Sequence, residues 1–358
     1  MFSNIIPNYY FENDIFELEK EKIFSDNWIF ICFKDDVANH NDFVSKKIGK
    51  IPVVIQNING EIRAFMNVCS HRFSILQTQE RGNRALFCPY HGWSFNKEGI
   101  PTGIPKKPLF KEFSKQELCD LKLKEYSLET CGDFLFIHIN EPKISLKEYL
   151  GKFYNDLEKI SNGKDKRIDI NKINIKANWK ILVENTLESY HVNLVHSDTF
   201  KKLGAKGLEF NFTDYHSKWD ADLNLDEDDL KLSKIHNNFK NRSFKINGYT
   251  HYLIYPNLLV STSYGVSFNF STIFPTTPGE SEFISQVFMS KSENNNALIE
   301  GYKQSLIDFN RQVFDEDKTI CEEVQKGVIS TDKPGVLSLE EERVHAFQKI
   351  YMQQIKIK

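Results

Sequence analysis

Two pairs of metal-ligating side chains lie close together in the N-terminal half of the sequence. Cys69-Ser70-His71 is followed, after sixteen residues, by Cys88-Pro89-Tyr90-His91. Each pair offers one thiolate and one imidazole, so a two-iron cluster held by both would have a cysteine-ligated and a histidine-ligated iron. A structural zinc site takes the same four ligand types. Zinc sites, however, usually pair Cys with Cys and His with His, so the C-x-H spacing favours an iron–sulfur cluster.

A second pair of histidines, His191 and His196, ends a segment from Asn178 that has the pattern of a helix of about four turns. A spacing of five residues places the two imidazoles roughly 140° apart on a straight helix. Both can bind one ion only if the helix bulges, breaks or turns between them. Taken alone, the two histidines are also compatible with unrelated roles.

Non-haem Fe(II) sites often combine two histidines with one carboxylate and leave positions open for O2 and substrate. The carboxylate must come from farther along the chain, and residues 299–326 form the strongest long helical pattern after the histidines. This segment contains Asp308, Asp315 and Asp317. The alternative is that these acids form a solvated helix face.

The composition limits the partners that the protein can have. Lysine and arginine number 46 against 49 acidic residues, and the net charge of -3 gives no general attraction to nucleic acid or to an anionic membrane. The N-terminus lacks the pattern of a secretory signal, and no stretch of about 18 apolar residues could span a bilayer. We therefore expect a cytoplasmic protein that acts on a small molecule.

The first motif, together with Arg72 and the run Pro-Tyr-His-Gly-Trp that ends at Trp93, resembles the Rieske [2Fe-2S] site of Rieske non-haem iron oxygenases, in their large (alpha) subunit. The run Asn-Trp-Lys-x4-Asn-x2-Glu-x-Tyr-His-x4-His from Asn178 resembles the mononuclear iron segment of the same ring-hydroxylating oxygenase family. Glu316-Asp317 resembles the Glu-Asp segment that supplies its third ligand. The resemblance implies that Cys69, His71, Cys88 and His91 bind the cluster. It likewise implies that His191, His196 and Asp317 bind mononuclear Fe(II), with Asp315 and Asp308 as fallbacks.

The resemblance also implies a catalytic role for Glu188. In the family, an acidic residue at this position links a cluster histidine of one subunit to an iron histidine of the next, since the two centres of one chain are too far apart for rapid electron transfer. The usual residue is aspartate, whereas glutamate is typical of relatives that oxidise quaternary ammonium compounds. We therefore expect a homotrimer, closest to the quaternary-ammonium-oxidising branch.

The expected function is that of the oxygenase component of a multicomponent system. It would use O2 and electrons from an external NAD(P)H-dependent reductase, with or without a ferredoxin, to hydroxylate or N-demethylate a small organic substrate such as a quaternary ammonium compound. Hydroxylation of an aromatic ring is the alternative, and a zinc-stabilised protein without enzymatic activity is a remote one.

We predict an α+β fold with three regions. Residues 1–37 would be an N-terminal helix and lead-in belonging to the catalytic domain, and residues 38–145 an all-β Rieske domain. Residues 146–358 would be the catalytic mononuclear iron domain, in which strand-like segments at 249–255, 258–264, 267–275 and 283–291 form an antiparallel sheet covered by helices.

The substrate pocket should lie beside this sheet. His251, Tyr255, Asn257 and Ser261 share one face of its first two segments, and Tyr264 and Phe268 are candidates for aromatic walls. The strongly charged stretch 214–247, which includes Asp226-Glu227-Asp228-Asp229, Lys240 and Arg242, has the pattern of a solvated lid.

Overall fold

The computed structural model describes residues 1–110, 112–223, 235, 237–239, 243–292 and 296–355. Contacts divide the chain into two compact units, residues 24–146 and residues 1–23 with 147–358. Our predicted boundary at 37/38 is wrong, because residues 29–33 form a strand that pairs antiparallel with residues 134–138 of the smaller unit. The lead-in therefore belongs to the β unit from Phe24 onward.

The smaller unit consists mainly of short antiparallel strands. They are β1 (Ile29–Phe33), β2 (Asp42–Ile48), β3 (Ile51–Ile58), β4 (Glu61–Met66), β5 (Arg81–Asn83), β6 (Ser94–Phe95), β7 (Pro101–Gly103), β8 (Ser127–Cys131) and β9 (Phe134–His138). These strands form sheets in the orders β4-β3-β2-β5, β1-β9-β8 and β6-β7. Asn59 and Gly60 both have positive φ between β3 and β4, as the Asn-Gly hairpin signal predicts.

The core of this unit extends to the two metal-binding loops. Cys69 and Cys88 are almost fully buried in one apolar cluster with Val54, Phe65 and Trp93. Since the loops that carry the cysteines are anchored in this core, their backbones are held in place before any metal binds.

The larger unit is built on an antiparallel sheet in the order β10-β16-β15-β14-β13-β12-β11. Its strands are β10 (Lys164–Ile175), β11 (Lys206–Phe212), β12 (Ser217–Asp222), β13 (Tyr249–Ile254), β14 (Leu258–Ser263), β15 (Ser267–Thr277) and β16 (Glu280–Ser290). The prediction of the last four is confirmed. The predicted lid is wrong at β12, which pairs with β13 in the sheet. Residues 226–229, 240 and 242 lie outside the described residues.

Helices accompany both units. They are α1 (Asn13–Lys22), α2 (Lys115–Asp120), α3 (Leu146–Leu150), α4 (Tyr154–Gly163), α5 (Trp179–Thr186), α6 (Val192–Val195), α7 (Phe200–Leu203), α8 (Ala297–Val328) and α9 (Glu342–Ile355). The long helix predicted over 299–326 is confirmed as α8, which packs on the sheet through Phe314 against Phe283, with ring centroids 4.7 Å apart. None of the described helices is both long and apolar enough to cross a membrane.

The predicted four-turn helix over 178–196 is interrupted. Helix α5 ends at Thr186 and α6 begins at Val192. The Glu188 carboxylate accepts the backbone N–H groups of Tyr190 and His191. In a continuous helix these N–H groups would bond backbone carbonyls four residues earlier. The Glu188 side chain takes the place of those carbonyls, so the helical hydrogen bonds end here.

Helix α5 is fixed at its start by a buried ion pair. Lys180 and Glu19 of α1 are both fully buried and in direct contact. The same carboxylate accepts hydrogen bonds from Trp179 Nε1 at 2.9 Å and from the Tyr351 hydroxyl of α9 at 2.7 Å. One carboxylate therefore joins α1, α5 and α9, and burial lowers the pKa of Lys180.

Lys180→Met should destabilise the larger unit by about 3–5 kcal/mol, because Glu19 would remain buried without its counter-charge. The double variant Glu19→Gln/Lys180→Met should recover most of this loss, since the carboxamide oxygen can still accept from Trp179 while its NH2 group donates to the Tyr351 hydroxyl oxygen. The free energy of unfolding in urea measures both. Lys326→Met, at an exposed pair with Glu323, is the control and should leave the free energy of unfolding essentially unchanged, because exposed ion pairs contribute little. A double variant no more stable than Lys180→Met would contradict this.

Candidate metal centres

The two loops of the smaller unit share one backbone hydrogen-bond pattern. Cys69 N–H bonds the Ser74 carbonyl and Phe73 N–H bonds the Cys69 carbonyl, while Cys88 N–H bonds the Trp93 carbonyl and Gly92 N–H bonds the Cys88 carbonyl. The fourth residue after each cysteine is left-handed, with φ of 59° at Phe73 and 74° at Gly92. The two halves of the sequence motif therefore share one backbone turn, although their Cys–His spacings differ.

The donors of these loops meet in two pairs, one of thiols and one of imidazoles. The Cys69 and Cys88 thiols are hydrogen-bonded neighbours, and the His71 and His91 ring centroids are 4.8 Å apart. His71 also stacks on Trp93 at 4.8 Å, with the planes only 3° apart. The Nδ1 atoms of both histidines are buried and make no hydrogen bond among the described residues.

Unpartnered buried nitrogens are costly, so both Nδ1 atoms indicate a missing ligand. Burial raises the pKa of the Cys69 thiol. Burial acts in the same direction on Cys88, but hydrogen bonds from the backbone N–H groups of Tyr90 and His91 outweigh it, and the pKa of Cys88 is lowered. Burial, His91 and Arg72 lower the pKa of His71, which keeps this imidazole neutral and able to bind a metal. Two thiols and two imidazoles, presented as pairs on two such loops, are the donor set of a Rieske cluster.

The second group of donors lies in the larger unit. His196 Nε2 is 3.0 Å from Asp317 Oδ1, and His191 Nε2 is 3.7 Å from the same oxygen. One donor atom from each of the three residues lies within 4.8 Å of the others. The break between α5 and α6 makes this possible, because it removes the angular separation that a straight helix would impose. Two imidazoles and one carboxylate form the facial set that suits non-haem iron.

Each of these imidazoles is oriented by a second carboxylate. His191 Nδ1 contacts Glu188 Oε1, and His196 Nδ1 lies 2.6 Å from Glu316 Oε2. A hydrogen bond from each Nδ1–H fixes the tautomer and leaves each Nε2 lone pair directed at the space beside Asp317. Glu316 is held in turn by the Thr199 hydroxyl at 2.7 Å.

Sequence reasoning missed two of these supporting residues. Glu316 was seen only as the neighbour of Asp317, and Asn185, which donates to Asp317 Oδ1 at 2.8 Å, only as part of a motif. The sequence signal for Glu316 is its position one residue before Asp317. The signal for Asn185 is its position one helical turn before Glu188.

The pKa of His196 reflects two opposing effects. Burial opposes protonation of His196, but hydrogen bonds and charges from Asp317 and Glu316 outweigh it and raise the pKa of this histidine.

A cavity of about 570 Å³ opens beside these donors. His191, His196 and Asp317 lie on its wall together with Glu188. The side of the sheet that faces the cavity contributes Trp219, Tyr249, His251, Leu259, Ser261, Asn269, Ser271 and Phe283, and the helices contribute Phe200, Phe309, Asn310 and Phe314.

Of the six predicted pocket residues, His251 and Ser261 line this cavity and the other four do not. Phe268 is wrong because Asn269 and Ser271 of β15 face the cavity, so the alternation of the strand turns Phe268 to the other side, where it stacks with Phe270. Tyr264 is also wrong, since it lies past the end of β14 and packs on the apolar cluster around Val266.

Tyr255 and Asn257 are wrong for a related reason. Both lie between β13 and β14 and are almost fully buried. The Tyr255 carbonyl accepts the Tyr149 hydroxyl at 2.8 Å, and its N–H donates to His216 at 3.1 Å. The Tyr-Pro-Asn segment, with a cis Tyr255-Pro256 bond, therefore forms the turn and not the wall of the cavity.

Comparison with known proteins gives two family matches. Residues 27–114 match the Rieske [2Fe-2S] domain, and residues 157–357 match the catalytic domain of the ring hydroxylating alpha subunit. The large oxygenase component of the naphthalene 1,2-dioxygenase system of Pseudomonas aeruginosa is 34% identical over 197 residues, which are 53% of this chain and 44% of that protein. The chain thus spans less than half the length of this relative.

Another relative aligns over most of both chains. The carnitine monooxygenase oxygenase subunit of Acinetobacter pittii is 26% identical over 334 residues, which cover 91% of this chain and 85% of that protein. The crystal structure of the quaternary ammonium Rieske monooxygenase CntA in complex with an inhibitor superposes with a TM-score of 0.81 at 21% identity, covering 99% of this chain and 95% of that one. At this identity the superposition establishes the fold.

The fold and the two donor sets define a two-domain iron protein, with a Rieske [2Fe-2S] centre and a mononuclear iron centre. The chain belongs to the family of ring-hydroxylating alpha subunits. The donor atoms fit both groups. The smaller unit offers two thiols and two imidazoles whose Nδ1 atoms make no hydrogen bond in the described part of the chain, and the larger unit offers two oriented imidazoles and a carboxylate.

Asp317→Ala should remove the mononuclear iron, because two imidazoles alone leave the ion without its anionic ligand. The visible absorption of the cluster should not change. Iron content per chain and the visible spectrum of the purified variant measure these two effects separately. Asp315→Ala is the matched control on the exposed side of α8 and should retain all iron. Full iron content in the Asp317 variant would assign the third ligand to another acid.

Proposed function

We propose that this chain is the oxygenase component of a Rieske non-haem iron system. In this proposal Cys69, His71, Cys88 and His91 hold the cluster, and His191, His196 and Asp317 hold the mononuclear iron. The observation that carries it is the grouping of the last three donors within 4.8 Å on the wall of a large cavity. A substrate in that cavity would lie directly beside the open coordination positions.

When bound, the cluster supplies electrons one at a time and the mononuclear iron activates O2. The residues of the chain have other tasks. Glu188 and Glu316 hold the two Nδ1 protons, so that both imidazoles remain in the metal-binding tautomer. The aromatic side chains Phe200, Phe309 and Phe314 give the cavity apolar surface beside the metal donors, which a substrate can cover to displace water from the reactive site.

We propose that Glu188 also links two subunits of a homotrimer. Large apolar side chains beside both histidine pairs support an interface there: Phe73 is 80% exposed, Tyr90 56%, Tyr190 66% and Leu194 87%. Patches of this kind on a single chain are typical of surfaces that a partner covers. Electrons would come from NAD(P)H through a separate reductase, with or without a ferredoxin.

The proposed substrate is a small quaternary ammonium compound. Support comes from the relative that acts on carnitine and aligns with 91% of this chain. The cavity provides aromatic faces from Phe200, Trp219 and Tyr249, which attract a quaternary ammonium group through cation–π interaction. The product would be a hydroxylated or N-demethylated derivative.

Hydroxylation of an aromatic ring is the second candidate, because the same faces stack on a planar ring and one relative is part of a naphthalene dioxygenase system. The sheet wall argues against an unsubstituted hydrocarbon. His251, Ser261, Asn269 and Ser271 line it, and a hydrocarbon that covers such polar groups removes their hydration without replacing it.

O2 uptake with NADH and a matched reductase should rise with carnitine or a betaine and yield an oxygenated or demethylated product. It should stay at the background rate with naphthalene and with aromatic acids. Mass spectrometry with ¹⁸O2 separates productive turnover from uncoupled O2 consumption. If an aromatic compound gives a ring-hydroxylated product and the ammonium compounds give none, the proposed substrate is wrong and aromatic hydroxylation is favoured.

Glu188→Gln should lower turnover by at least about 100-fold while both iron centres stay occupied, since its one carboxamide oxygen can accept from His191 Nδ1 but carries no charge. The contacts of the second carboxylate oxygen with the backbone N–H groups of Tyr190 and His191 are lost in this variant. Steady-state rate, iron content and the visible spectrum report these effects. Glu316→Gln is the matched control, because it makes the same change beside His196, and it should cost about 10-fold or less. An equal loss of turnover in the two variants would indicate that Glu188 only orients His191 and does not link subunits.

A further inference from the structure

A buried arginine lies behind the sheet wall of the cavity. Arg343 of α9 has no exposed surface. Its Nε donates to Ser217 Oγ at 3.1 Å, and both terminal nitrogens lie 3.1 Å from His251 Nδ1. Among the described residues no carboxylate lies within 4.0 Å of this guanidinium; the nearby Asp220 is paired with Lys218 at 2.9 Å. A guanidinium is thus buried without a direct counter-charge.

The arginine determines how His251 presents its ring. Because a guanidinium can only donate, Nδ1 must accept, and the proton of the neutral imidazole lies on Nε2. Burial, and then the Arg343 charge, lower the pKa of His251 well below its usual value, so that the ring stays neutral. Nε2 has no partner in the described part of the chain and is not among the fully buried unpaired atoms, so it is open to the cavity that His251 lines.

Neighbouring side chains continue this wall on both sides of His251. His251 pairs across the strands with Trp219 on one side and with Ser261 on the other, and Ser261 pairs with Asn269 on the next strand. These four side chains form a continuous row along one wall of the cavity. Burial also lowers the pKa of Arg343 to about 9, which reflects the cost of an uncompensated charge in this position.

We propose that His251, positioned by Arg343, is the binding site for a carboxylate of the substrate. The Nε2–H donates to the anion, and the guanidinium behind it supplies the positive potential that favours an anion at this wall. This inference rests on the proposed function. It predicts a substrate that has both a quaternary ammonium group and a carboxylate, with the carboxylate bound at the sheet wall.

Binding to the unreduced, metal-loaded protein tests the inference without turnover. Isothermal titration would compare three ligands of nearly equal shape: gamma-butyrobetaine, its carboxamide analogue and its tert-butyl analogue, in which carbon replaces the ammonium nitrogen. The wild type should bind the carboxylate about 10- to 100-fold more tightly than the carboxamide, as expected for hydrogen bonding to a charged group.

His251→Leu should abolish this preference, and His251→Gln should restore part of it, because a carboxamide can accept from Arg343 and donate to the ligand at the same time. Arg343→Met should also abolish the preference. If that variant does not fold, the two His251 variants still decide the question. Lys201→Met is the control for an exposed cation on the same cavity and should leave the preference intact.

The outcomes distinguish failure of the carboxylate site from failure of the proposed quaternary ammonium substrate. Equal affinities for carboxylate and carboxamide in the wild type, or a preference that survives His251→Leu, would overturn the carboxylate site. Equal weakening of both ligands in His251→Leu would make the residue merely structural. Binding of the tert-butyl carboxylate alone, lost in His251→Leu, would support the carboxylate site while contradicting the quaternary ammonium substrate.

Discussion

The larger metal centre depends on a break in one helix. His191 and His196 would point in different directions on a continuous helix. The Glu188 carboxylate binds the backbone N–H groups that would extend the helix and also contacts His191 Nδ1. One side chain therefore both ends the helix and orients the ligand that follows. The approach of the two imidazoles to Asp317 follows from this local competition between a side chain and the helical ladder.

The chemistry of both centres was predictable from the sequence because chelating pairs are local. Cys69-x-His71 and Cys88-x2-His91 must each lie on one loop whatever the rest of the fold, and the H-x4-H spacing required a non-ideal helix that the structure contains. The long-range partner of a ligand is not encoded in this way. Glu316 is 120 residues from His196, and only the packing of α8 brings their side chains together.

The pocket was predicted less well because alternation along a strand gives two faces without saying which one meets the cavity. The sequence therefore could not show which face of each strand lines the cavity. Residues beyond the strand ends, such as Tyr255 and Tyr264, follow no alternation at all. Strand β10 escaped prediction because its sequence, Lys164–Ile175, is mostly charged and polar. It is an edge strand, whose pairing with β16 supplies stability that its composition does not signal.

The most direct test of the central claim is anomalous X-ray diffraction from crystals of the metal-loaded protein, collected across the iron absorption edge. The account predicts an iron pair between Cys69, His71, Cys88 and His91. It predicts a separate single iron that contacts His191 Nε2, His196 Nε2 and the Asp317 carboxylate. Zinc at either position, or no metal density between the two imidazoles and Asp317, would contradict it.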